Sequence, residues 1–131
     1  MAIEHGESFI SVDGDIIIVR AVGAFNEEGI DKTIDNLKSV IASLGPKGFK
    51  LLFDYSKATG GTPDVFNKIN ECNIWLNGQN MIAKALVIES QIQLGILESR
   101  TPARRSQNAK NFNNEENAIN WLKLQSQQTN K

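Results

Sequence analysis

The stretch Asp54-Tyr55-Ser56-Lys57-Ala58-Thr59-Gly60-Gly61-Thr62-Pro63 carries one carboxylate, one phenol and three aliphatic hydroxyls between an apolar run and a helix start. Open α/β sheets place function at such strand-to-helix junctions. A phosphate on Thr62 would meet unpaired backbone N–H groups and the positive end of the helix dipole. Ser56 is the other candidate acceptor, at the spacing from Asp54 discussed below. Structure alone also accounts for these residues, with Thr62 as N-cap, Gly60-Gly61 as a turn and Ser56 bonded to local backbone. The cap and turn signals favour that structural role.

Other routes to chemistry lack parts. Neither Gly-x-x-x-x-Gly-Lys-(Ser/Thr) nor Gly-x-Gly-x-x-Gly occurs, so the phosphate cradles those motifs build are not expected. Asp54 has no histidine nearby in sequence and no evident carboxylate partner, which leaves it a solvated strand end. His5, the single histidine, falls in a leader expected to be disordered, so a Ser-His-Asp triad or a histidine metal site is not expected. Cys72, the single cysteine, lies on an apolar helix stripe where a thiol is buried and inert. No catalytic residue, cofactor or metal is therefore expected.

Three features could serve recognition instead. Arg100, Arg104 and Arg105 form a basic cluster suited to a phosphate, an acidic partner or anionic lipid, although Arg100 also complements a helix C-terminus. Without interleaved aromatics the cluster does not read as a nucleic-acid surface. Trp75 lies off the stripe of its helix, and Ile92, Leu94, Ile96 and Leu97 spread over a wide arc of the next. Such residues line a partner surface, a ligand pocket, or simply the core.

The 131 residues suit one domain with one core, expected over residues 1–124, with 125–131 a polar, frayed tail. Fourteen Lys and Arg against fifteen Asp and Glu leave a formal charge of -1, too little for a global pull toward nucleic acid or anionic membrane. A lone cysteine suits a reducing compartment, the first residues lack a secretory pattern, and apolar runs such as Ile16–Val19 are far too short to span a bilayer. A cytoplasmic location without membrane insertion is the expectation.

Periodicity supplies the elements that position these residues. Glu7–Val12 and Asp15–Val22 read as a hairpin around Asp13-Gly14, the second strand apolar on both faces apart from Arg20 and therefore central. Asn26 caps a helix with Ile30, Ile34, Leu37, Ile41 and Leu44 on one face, stopped by Gly45-Pro46. Phe49–Phe53 is a buried strand. After the 54–62 loop, a helix from Pro63 to about Leu76 follows, with Val65, Ile69, Cys72 and Leu76 inward. Ala83–Ile88 is a strand, and Ser90 caps a helix carrying Ile92, Ile96 and Leu97 inward. Ala109–Phe112 is a short strand, and a last helix packs Ala118, Ile119 and Leu122. The order β-β-α-β-α-β-α-β-α predicts an α/β fold. Its sheet has four to five mostly parallel strands, an antiparallel N-terminal strand and four covering helices.

This order resembles the STAS fold, best known from bacterial anti-sigma-factor antagonists. The end of the chain, Phe112-Asn113-Asn114-Glu115-Glu116-Asn117-Ala118-Ile119-Asn120-Trp121-Leu122, is similar to the Phe-x-(Asp/Asn)-x-Glu-x-Ala-x-x-Trp-Leu ending of the SpoIIAA-like, STAS/SEC14-type branch. The antagonists carry Asp-Ser-(Ser/Thr)-Gly directly between third strand and second helix, where a kinase modifies the serine. Here Asp54 is kept but the Ser-Gly pair is lost, and Ser56 and Thr62 divide its features between them. The resemblance implies a non-catalytic regulatory module with a protein partner, acting through residues 55–63 and the second and third helices. A homodimer through apolar helix surface is a further expectation. The alternative it implies is a carrier of a small apolar or lipid-like ligand held between those helices and the sheet.

Overall fold

The structure, a computed structural model, describes residues 5–126. Strands β1 (Glu7–Asp13) and β2 (Ile16–Phe25) form the hairpin, with Gly14 at φ 62 in its turn. There follow α1 (Glu27–Ser43), β3 (Phe49–Gly61), α2 (Pro63–Asn77), β4 (Met81–Val87) and α3 (Gln91–Arg100). A 3-10 turn at Pro102–Ser106, β5 (Ala109–Phe112) and α4 (Glu115–Leu124) complete the order. Residues 127–131 of the expected tail lie outside the described residues, whereas Gln125 accepts from Asn108 Nδ2 at 3.1 Å. No helix among the described residues is long and apolar enough to cross a membrane.

The five strands lie in the sheet in chain order, β1 antiparallel to β2 and the rest parallel. Crossovers of one hand between sequential neighbours put α1, α2 and α3 on one face. That face buries Ile17, Val19, Leu37, Ile41, Phe49, Leu51, Cys72 and Leu76. Helix α4 covers the other face, where Ile16, Ile18, Leu52, Ala85 and Val87 meet Ala118 and Leu122. This two-sided cover is why β2 is apolar on both faces. Asn26, Ser90 and Asn114 cap α1, α3 and α4, each side chain accepting from an N–H of the first turn.

Three local readings differ from the structure. Strand β3 does not stop at Phe53 but runs to Gly61, because β2 continues to Phe25 and supplies a partner: Val22, Gly23, Ala24 and Phe25 pair with Lys57, Ala58, Gly60 and Gly61. Two register shifts absorb two extra residues, one where Tyr55 and Ser56 stand against Ala21 alone and one at Thr59, and Gly23 and Gly60 take positive φ beside the second. Helix α3 buries Leu97, while Ile92 is 79% and Ile96 40% exposed. At about 100° per residue Ile92 and Ile96 share the face opposite Leu94 and Leu97, and the short helix buries only the latter face against Leu86 and Ile88. Helix α3 ends at Arg100 with Thr101 as its C-cap, and the 3-10 turn follows from Pro102. Finally, His5 is not in a loose leader. Its N–H donates to Asn26 Oδ1 at 2.9 Å, and its carbonyl accepts from Asn26 N–H. Gly29 permits this approach, since a Cβ there would run into the His5 carbonyl.

Candidate functional site

The far end of β3 presents different chemistry on its two faces. On the α4 face Asp54 stands in register beside Arg20 of β2. Arg20 reaches to the first residue of α4, donating from Nε and NH2 to the two oxygens of Glu115, both at 2.8 Å. This fork holds the Glu115 carboxyl down to about 2, with a hydrogen bond from Asp54 helping. Asp54 moves the opposite way, raised first by partial burial and then by the bond to Glu115, although the Ser56 hydroxyl and N–H pull it down. As pH falls, Asp54 is therefore the first of the two carboxyls to take up a proton. Ser56 N–H donates to Asp54 Oδ1 at 2.8 Å. With Glu115 forked and Asp54 bonded on both sides, the trio is a clamp that ties the start of α4 to the sheet. Arg20→Met should return Glu115 from about 2 toward its ordinary 4.5, read as its carboxyl 13C titration.

On the other face Tyr55 stacks on Phe53 with ring centroids 4.8 Å apart. Beyond it opens an apolar cleft of about 140 Å³ between β3, α2 and α3, with Tyr55, Thr59, Val65, Phe66, Ile69 and Ile96 in its walls. Gln93 Nε2 donates to the Ala58 carbonyl at 3.3 Å and fixes α3 against the strand. Glycines 60 and 61 form the adjoining wall, so the backbone of β3 borders the cleft without side chains. Thr62 holds the N-cap position of α2 but makes no side-chain cap bond, and Pro63 begins the helix. Its hydroxyl is exposed at the positive end of the helix.

The structure thus gathers Tyr55, Thr59 and Ile96 into one cleft, with Ile92 exposed on the same helix face as Ile96. Asp54 belongs to the clamp across the sheet. Trp75 packs half-buried against the core between α1 and the sheet, with Lys38 Nζ 5.1 Å from its ring centre. Arg104 is half-buried and donates to Asn111 Oδ1 at 2.9 Å, while Arg105 is exposed beside it. These two border a separate polar pocket of about 300 Å³ with Glu98 and Asn111. Phe66, Gln93, Arg20 and Glu115 escaped sequence reasoning. Only Arg20 left a signal, as the single charge in an apolar strand, because its partner lies 95 residues away.

No protein-family model matches the sequence, and no curated protein matches it. Solved structures do. A protein of the DUF3478 family with a SpoIIAA-like fold from Shewanella loihica superposes with TM-score 0.67 at 18% identity, over 93% of this chain and 97% of that one. An anti-sigma factor antagonist from Mycobacterium paratuberculosis gives 0.68 at 10% identity, over 91% and 95%. SpoIIAA, the anti-sigma factor antagonist in its unphosphorylated form, gives 0.61 at 8%, over 90% and 99%. The chain has a SpoIIAA-like fold. Residues 55–61 put about 20 Å of strand between Asp54 and the start of α2. Asp54 and the helix terminus therefore cannot act on one hydroxyl.

Proposed function

We propose that this protein is a non-catalytic regulatory module that binds another protein through the cleft between β3, α2 and α3. The observation that carries this reading is the exposure of Ile92 and Ile96 beside an open apolar cleft whose remaining walls are rigid strand and helix. A partner side chain seated among Phe66, Ile69 and Ile96 would bury them, and the β3 backbone at Gly60 and Gly61 offers close approach. Two solved structures of the same fold are named as anti-sigma factor antagonists, which supports a protein partner. Capture from cells of origin with wild type and Ile96→Asp tests this reading. The wild type should retain a defined partner that the variant loses, while both keep the same circular dichroism. Equal retention by the two would refute it.

The same geometry ranks the hydroxyls. A phosphate dianion on Ser56 would lie beside the Asp54 and Glu115 carboxyls, whereas one on Thr62 would lie at the positive end of the α2 dipole. Any phosphate seen in the intact mass should map to Thr62 and vanish in Thr62→Ala. A phosphate mapped to Ser56 would contradict this ranking.

A further inference from the structure

The apolar layer between the sheet and α2 encloses a polar group of three side chains that the recognition surface does not use. Lys84 of β4 is 7% exposed and Asn73 of α2 is 2% exposed. Lys84 Nζ donates to Asn73 Oδ1 at 2.7 Å, and Gln107 Nε2 donates to the same oxygen at 3.1 Å. The ammonium fixes this arrangement. Asn73 must turn its oxygen to the cation, so its own NH2 faces away, and Gln107 must then offer its NH2 rather than its carbonyl. Asn73 Nδ2 and Gln107 Oε1 are left buried without a hydrogen-bond partner. An ammonium has three donors, and Asn73 Oδ1 occupies one of them.

Charge at this spot is as incomplete as hydrogen bonding. Among the described residues no carboxylate forms an ion pair with Lys84. The charged side chain facing it is Arg104, another cation, and Cys72 is the other titratable neighbour. Lys84, Asn73 and Arg104 line a cavity of about 40 Å³ whose remaining walls are mainly apolar. Tyr55, Ile69 and Leu97 line both this cavity and the surface cleft and so form the wall between them. Arg104 also borders the polar pocket on its other side, which makes it the side chain separating the cavity from solvent there.

We propose that the cavity is a binding site for a small aliphatic monocarboxylate, its head held by Lys84 and Asn73 Nδ2 and its chain against Leu97 and Ile69. A carboxylate has two acceptor oxygens for these two donors, and its single charge neutralises Lys84. Gln107 is a positioning residue, holding the Asn73 amide in the orientation that points its N–H groups at the ligand. The proposal does not rest on the protein contact at Ile96, although the two sites share the wall of Tyr55, Ile69 and Leu97.

The test is 15N NMR of the Asn73 side-chain amide while sodium acetate, butyrate and hexanoate are titrated into the full chain, with butanol and butylamine as controls. Carboxylates should shift the amide pair and the two controls should not. Affinity should rise by about fourfold per methylene until the cavity is filled. Lys84→Met should weaken butyrate at least about tenfold, the loss of a charged hydrogen bond. An unmoved Asn73 amide in the wild type, equal shifts from butanol, or unchanged affinity in Lys84→Met would each overturn the proposal. The wild-type titration decides even if the variant does not fold.

Discussion

Lys84→Met should unfold at higher denaturant than the wild type, and Asn73→Ala at lower. Methionine keeps the stem of Lys84 in its apolar surroundings and removes a cation that gains only one amide oxygen in return for its lost hydration. Replacing a poorly compensated buried charge by a matched apolar side chain stabilises by about 1–3 kcal/mol. Asn73→Ala instead keeps the charge and removes its acceptor, at a cost of about 2–3 kcal/mol. The gap between wild type and Lys84→Met must also depend on pH. Burial lowers Lys84 from 10.5 to about 8. Between those values the unfolded chain binds the proton and the folded chain does not, so wild-type stability gains with rising pH, by about 3 kcal/mol in all. Cys72 and Tyr55, both raised by burial, act in the opposite sense; they are present in both proteins and cancel in the difference except for the part of the Cys72 shift that Lys84 opposes. Chemical denaturation of the pair below pH 8 and near pH 10.5 should therefore show the gap closing. A constant gap would mean that Lys84 is already neutral or solvated.

Leu122→Ala should cost about 3 kcal/mol and lower the melting temperature by about 10 °C. Leu122 is fully buried against Ile18, Leu52, Ala85 and Val87, and α4 is the helix that covers this face of the sheet. Phe112 and Trp121, ring centroids 5.7 Å apart, close the edge of the same layer, so little can collapse into the space left. The aromatic-aliphatic ending of the chain is thus a plug. Calorimetric melting of the variant reads the effect directly, and a loss of under about 1 kcal/mol would show that α4 is peripheral.

Much of this architecture is visible in local pattern. The two apolar faces of β2 require cover on both sides, the capping asparagines and serine mark three helix starts, and the stripe of α1 fixes its inward face. What sequence conceals is whatever depends on a distant partner. Lys57, Ala58, Gly60 and Gly61 read as loop, yet they pair as strand because Val22–Phe25 run alongside. On α3 four apolar residues leave the inward face undecided, and only contact with Leu86 and Ile88 selects Leu94 and Leu97 over Ile92 and Ile96. Lys84 interrupts an apolar strand, but its acceptor sits on the preceding helix, and nothing in their spacing announces the pairing. The candidate site was half legible for the same reason: Tyr55, Thr59 and Ile96 were singled out, while Phe66 and Gln93 entered only through packing.

We propose contact at the cleft, and not chemistry at Asp54, as the way this molecule works. Isothermal titration of the captured partner against wild type, Ile96→Asp and Asp54→Asn tests it most directly. The account predicts binding weakened about tenfold or more by Ile96→Asp and unchanged by Asp54→Asn. Full binding by Ile96→Asp, or loss confined to Asp54→Asn, would contradict it.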